Sequence, residues 1–188
     1  DESGVPDDIT IKNCRTYWTR GQGINIYGAN NLNANMRGAR CLVQNNFVSN
    51  ASVVSLMSVV SGQPDTATGG IRVGQVSSAI VEGNRVEHSH GEGFDIGKLA
   101  WGTAEAPIIV RNNVIANCHH VHMYILHGKH IHVYNNIVYA TQGSPAVELQ
   151  SPNDPGNSYK ILDEKAGDGG WQVSEHIYFY NNLGINGD

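Results

Sequence analysis

Apolar and polar residues alternate with a period of two in short runs along this chain, and six of the runs end alike. Ile9-Thr-Ile-Lys-Asn-Cys14, Cys41-Leu-Val-Gln-Asn-Asn46, Ala79-Ile-Val-Glu-Gly-Asn84, Ile108-Ile-Val-Arg-Asn-Asn113, Ile131-His-Val-Tyr-Asn-Asn136 and Ile177-Tyr-Phe-Tyr-Asn-Asn182 each read as a strand stopped by an asparagine turn. The ends of successive phrases lie 23 to 46 residues apart. The shortest interval is the bare unit, and the longer ones carry inserted loops at about 28–40, 50–69 and 150–174. A second alternating strand follows at similar spacing, in Gly23-Ile-Asn-Ile-Tyr27, Gly70-Ile-Arg-Val-Gly74, Gly93-Phe-Asp-Ile-Gly97, His122-Met-Tyr-Ile-Leu126 and Ala146-Val-Glu-Leu-Gln150. A third, shorter strand is expected just after the turn, as in Phe47-Val48 or Ile137-Val138. No single unit can bury its own apolar side, so stacking into an all-β parallel solenoid is the predicted fold.

Stacking places equivalent positions of neighbouring rungs about 4.8 Å apart, so columns follow from the sequence. Asn13, Asn45, Asn112, Asn135 and Asn181 form one column, and Asn46, Asn84, Asn113, Asn136 and Asn182 the next, with Gly83 and Cys14 as interruptions. Asparagine tolerates left-handed backbone, and its amide donates to one rung while accepting from another. In the second strand, apolar pairs from Ile24/Ile26 to Val147/Leu149 face inward, which leaves Asn25, Arg72, Asp95, Tyr124 and Glu148 in one outward line. Gln75, Lys98 and His127 follow at the strand ends. In the first strand the outward columns are Thr10, Leu42, Ile80, Ile109, His132 and Tyr178, more apolar than a solvated face, and Lys12, Gln44, Glu82, Arg111, Tyr134 and Tyr180.

The length of 188 residues suits one domain, 1–188. Twenty-two glycines against 6 prolines, with many Asn, Val and Ile, favour short strands and tight turns over helices. A net charge of -5, from 12 Lys+Arg and 17 Asp+Glu, provides no footprint for nucleic acid or an anionic membrane, and no apolar run is long enough to span a bilayer. Three cysteines allow one disulfide at most; Cys14 and Cys41 fall in different columns, so free buried thiols are expected, with Cys118 the third. The first repeat starts within ten residues of one end and the sixth stops near the other, which suggests either a piece of a longer chain or uncapped ends that associate with copies of themselves.

The pairing of Asn-Asn-x-Ile with Gly-Ile-x-Ile resembles the right-handed parallel β-helix repeat of pectate lyases, polygalacturonases, alginate lyases and phage tailspikes. The resemblance covers nearly the whole chain and implies about six rungs with Asn ladders and two long loop insertions. It also implies a groove on the outer face of the second strand, a polysaccharide ligand and an extracellular or cell-surface setting. The phrase Gly91 to Lys98 has a flavour of the Ca²⁺-dependent lyases but lacks their clustered aspartates, so no catalytic residue is carried over.

On that face the residues themselves suggest roles. Arg72 beside Asp95 suits a uronate carboxylate, with Asn25 and Glu148 as further contacts and Tyr124 as a stacking ring. Asp95 with Glu148 offers oxygen ligands for Ca²⁺. For β-elimination, Lys98 or Arg72 would take the proton and His127 or Tyr124 would protonate the leaving oxygen. A hydrolase would instead use Asp95 and Glu148, two rungs or roughly 9–10 Å apart. Two other readings stay open: a solvated face with an ordinary Arg72–Asp95 pair, and a non-catalytic stalk, filament or adhesin. Six of nine histidines lie between His119 and His132. The spacings His120/His122 and His130/His132 place paired imidazoles on one strand face, as a Zn²⁺ site would need, but strand phase puts His122 and His132 on different faces. Outward-facing histidine beside tyrosine is the expectation.

Overall fold

A computed structural model describes residues 8–27, 40–53, 69–97, 100–119, 121–141, 159–162, 164–165 and 171–186. The chain lays down one strand on each of three parallel sheets in turn and then repeats. Sheet A takes the asparagine phrases: β1 (Asp8–Lys12), β4 (Arg40–Gln44), β7 (Ala79–Glu82), β10 (Ile108–Arg111), β13 (Lys129–Tyr134) and β18 (Glu175–Tyr180). Sheet B holds the short strands after the turn: β2 (Arg15–Tyr17), β5 (Phe47–Ser49), β8 (Arg85–Glu87), β11 (Val114–Ala116), β14 (Ile137–Ala140) and β19 (Leu183–Asn186). Sheet C holds β3 (Ile24–Tyr27), β6 (Ile71–Gly74), β9 (Phe94–Gly97), β12 (Met123–Leu126) and β15 (Tyr159–Leu162). The expected register holds, with Ile108 paired to Ala79 and Ile131 on sheet A and Asp95 paired to Arg72 and Tyr124 on sheet C.

Period-two alternation gives each strand one apolar side, and the three inner sides make a single core. Val43, Val81 and Val110 from sheet A meet Val48, Val86 and Ile115 from sheet B and Ile71, Val73, Phe94 and Ile96 from sheet C, all without exposed surface. The two asparagine columns divide the work at the corner between sheets A and B. Asn13, Asn45, Gly83, Asn112, Asn135 and Asn181 supply the left-handed bend, with φ between 52° and 64°. The next column is buried and makes the ladder. The Asn84 Oδ1 accepts from the Asn46 backbone N–H (3.0 Å) and Nδ2 (2.9 Å), while its Nδ2 donates to the Val43 carbonyl (2.9 Å) and to Asn113 Oδ1 (3.1 Å). Asn113 and Asn136 repeat this pattern up to Asn182. Cys14 joins only through its backbone N–H, which donates to Asn46 Oδ1.

Several expectations need correction. The strand expected at Ala146–Gln150 lies outside the described residues, and the place beside β12 is held by Tyr159–Leu162, so Lys160 rather than Glu148 follows Tyr124 in the register. The segment expected as a loop at 150–174 therefore contains β15, and also the antiparallel pair β16 (Glu164–Lys165) and β17 (Trp171–Gln172). The thiols are free, as expected, but only Cys41 and Cys118 are buried; Cys14 is exposed because it sits at the corner column of the first rung. His130 does not share a strand face with His132: it adopts left-handed backbone, φ 49°, and stacks on His176, which is left-handed too, at 4.5 Å, while His132 packs against Tyr178.

Replacing Asn113 by alanine removes the side-chain partner of the Asn84 backbone N–H and of the Val81 carbonyl, and one of the two donors to Asn136 Oδ1, which keeps the Asn113 backbone N–H. At roughly 1–3 kcal/mol per orphaned buried group, the expected loss is about 3–5 kcal/mol in urea unfolding. Asn182→Ala, at the last described rung, should cost only about 1 kcal/mol. Equal losses at the two positions would contradict a ladder whose strength lies in its buried middle.

Candidate functional site

The outer face of sheet C carries the predicted line, and its middle is a built cluster. Arg72 Nε lies 2.9 Å from Asp95 Oδ2 on the neighbouring rung, and the guanidinium sits 4.5 Å above the centre of the Tyr27 ring. The adjoining outward row begins Tyr27, Gly74, Gly97. Both glycines make room: a Cβ on Gly74 would lie 2.8 Å from Tyr27 Cε2 and also strike the Gly97 carbonyl, and one on Gly97 would strike Asp95 Oδ1. The tyrosine ring and the carboxylate thus lie close over backbone that has no side chain to lift them. Asp95 is only 8% exposed although it belongs to an outward column. Burial raises the Tyr27 phenol above its ordinary value; the Arg72 charge opposes this and Asp95 adds to it.

Of the other predicted residues, Asn25 is exposed at the first rung of the same line and Tyr124 is half-buried at the fourth, in register with Asp95. Lys98 and Glu148 lie outside the described residues. His127 does not belong to an open strip at the strand end. It occupies the left-handed corner after β12, is buried, and its carbonyl accepts the Trp101 indole N–H at 2.8 Å. Gln75 takes the equivalent corner after β6 and is buried as well. Asp95 faces a guanidinium, and among the described residues no group of three or more His, Cys, Asp or Glu is arranged to hold a metal ion.

The walls of this face were not foreseen. On the side toward sheet A, Trp101 donates its backbone N–H to the Val76 carbonyl and has Lys129 Nζ 4.6 Å from its ring, which straps three rungs together. On the side toward sheet B, the corner positions Trp18, Asn50, His88 and Asn117 are all left-handed. Behind them His90, Glu92, His119 and His122 are buried, with Cys118 among them. His122, expected to face outward, turns into the core because the corner resets the alternation; its Nε2 accepts the Cys118 backbone N–H at 3.4 Å. Burial pushes the Cys118 thiol up to about 12, which makes it an inert packing residue rather than a nucleophile. The signals for these walls were the lone Trp18 and Trp101 and the glycines at 74 and 97, none of which breaks the alternation.

His90 titrates below its ordinary value of 6.5, first through burial and then through the neighbouring charges of His119 and His88. The unfolded chain therefore binds this proton more readily than the folded protein. Its contribution to stability is fully present above pH 6.5 and is lost as pH falls below that value. The urea midpoint of the parent protein should drop on acidification across this range, and His90→Gln should flatten part of the drop; parallel pH profiles for the two proteins would contradict the assignment.

The family described as right handed beta helix region matches residues 2–183. Neither the curated proteins nor the solved structures provide a match to this chain.

Proposed function

The chain belongs to the right-handed β-helix family, and from that premise we propose that the outer face of sheet C binds an extended acidic polysaccharide outside the cell or at its surface. The observation that carries the reading is the Tyr27–Arg72–Asp95 cluster, a half-buried ion pair laid against an aromatic ring on the outside of a solenoid. An exposed cross-strand pair needs no such bed, and two glycines are spent on making it. The guanidinium meets Asp95 as an ion pair, and its planar set of five N–H donors suits a carboxylate or hydroxyl of the ligand. Asn25 and Tyr124 extend the line by hydrogen bonding and stacking. Arg72, fixed by Asp95, serves as an orienting group on this reading, and the proton-transfer roles fall to Lys98 as base and Tyr124 as acid if the bound chain is cleaved by β-elimination. Ca²⁺ at Asp95 would have to displace the guanidinium or join it, so binding that needs no Ca²⁺ is the favoured form.

A panel of polygalacturonate, alginate, xylan and cellulose oligosaccharides, titrated calorimetrically with and without Ca²⁺, tests the reading. Binding of a polyuronate that weakens about tenfold or more in Arg72→Ala is the expected result, as for loss of a charge-assisted contact of ~1.5–3 kcal/mol. Ultraviolet absorbance from an unsaturated product would add cleavage. Reducing ends without absorbance would move the chemistry to a hydrolase. No binding to any glycan would overturn the reading in favour of end-to-end association.

A further inference from the structure

We infer that Trp18 is a stacking subsite for one sugar ring of the polysaccharide on sheet C, an inference that rests on the function proposed above. Trp18 stands at the first corner between sheets B and C, where the following rungs place Asn50, His88 and Asn117. All four have φ of 53° or 54°. Asparagine adopts that conformation readily, and a bulky aromatic residue does not. An unfavourable backbone persists only where its surroundings over-determine it, and such positions concentrate at binding sites.

The surroundings here do fix it. The Trp18 backbone N–H donates to the Ser49 carbonyl at 3.1 Å, Thr19 Oγ1 donates to the Gly21 carbonyl at 2.9 Å, and the Ser52 and Val53 N–H groups of the next rung close on the carbonyls of Gly21 and Thr19. Trp18 is nevertheless 67% exposed. Its ring partner is His90 from two rungs further on, at 6.5 Å and 35°; Tyr17 and Phe47 on sheet B pair with each other instead. The indole thus lies over the corner that leads into sheet C, beside a buried imidazole, on backbone that the neighbouring rung fixes before any ligand arrives. A rigid, solvent-facing aromatic plane suits the C–H face of a pyranose, and the ordering cost of binding has already been met by the fold.

Position gives the inference a signature of its own. Trp18 is in the first rung, Arg72 in the second, Asp95 in the third and Tyr124 in the fourth. Three rungs separate Trp18 from Tyr124, or ~14 Å along the axis. A short oligosaccharide seated on Asp95 and Tyr124 does not reach the indole, and a long one does.

The test is calorimetric titration of short and long oligogalacturonides and oligomannuronates against the parent protein, Trp18→Asn and Trp18→Phe, with thermal melting of each. Trp18→Asn should bind long oligosaccharides about tenfold more weakly, the factor equivalent to ~1.4 kcal/mol of stacking, and short ones as before. Its melting temperature should hold or rise, since asparagine fits the left-handed corner. Trp18→Phe should retain part of the affinity and lose the part of the tryptophan fluorescence change that only long oligosaccharides induce. Unchanged affinity for long oligosaccharides in Trp18→Asn overturns the inference alone. Equal losses for short and long chains together with a lower melting temperature would show a structural residue and overturn it too. Failure of the parent protein to bind any of these probes overturns the underlying reading, and this one with it.

Discussion

A carboxamide buried at the same corner of the second to fifth rungs is the constraint on which the rest of this structure depends. Burying an amide without partners is costly, and a single rung offers Asn84 or Asn113 only part of what its two N–H groups and its oxygen require. The remainder comes from the rungs on either side: a carbonyl from one, an amide oxygen from the other. The ladder therefore ties register to satisfaction. A one-residue slip would expose Asn113 on one rung and orphan its neighbours on two more, on top of inverting the alternation of every strand in that turn. The adjoining left-handed column makes the bend that puts the amide there, so the two asparagines of each pair have separate duties.

With the core and one corner fixed in this way, the outer surfaces are free to differ. Sheet A carries a continuous network in which Glu82 accepts from Gln44 and Arg111, Arg111 donates to the Tyr134 hydroxyl, and Tyr134 stacks on Tyr180 at 4.8 Å. Sheet C departs from a plain solvated face in the opposite direction, by removing side chains. Gly74 and Gly97 lower the surface locally, and Tyr27, Arg72 and Asp95 fill the resulting bed. Trp18 and Trp101 stand at its two margins, each pinned by main-chain hydrogen bonds to other rungs. The scaffold is regular where the ladder runs and individual where a ligand would lie.

The parts of the fold that repeat were legible from the sequence. Alternation set the inward pairs Ile24/Ile26, Ile71/Val73, Phe94/Ile96 and Met123/Ile125, and the asparagine phrases set sheet A and its register. Columns followed from these, including the Arg72–Asp95 neighbours. Legibility failed at the other corners. There the left-handed positions are filled by Trp18, His88, Gln75 and His127, residues with no compositional signature for that backbone. The corners reset the phase, which is why His122, after the left-handed Asn117, turned inward and His127, itself left-handed, is buried. In the fifth rung, Ala146–Gln150 and Tyr159–Leu162 both alternate, and pattern alone does not choose between them; the pairing of Met123 with Tyr159 does. Tyr27 was passed over because a glycine opposite an aromatic residue on the next rung is a cross-strand feature, invisible along one strand.

The central claim is that the buried amides hold the rungs in register, and hydrogen exchange of asparagine side chains reports on it directly. In a folded sample followed by NMR, the Nδ2 protons of Asn84, Asn113 and Asn136 should be protected to nearly the same degree as the most protected backbone amides of the core. Those of the exposed Asn13, Asn45 and Asn112 should exchange rapidly. Rapid exchange in both columns would contradict the account, because it would mean that the interior amides open without unfolding the solenoid and do not set its register.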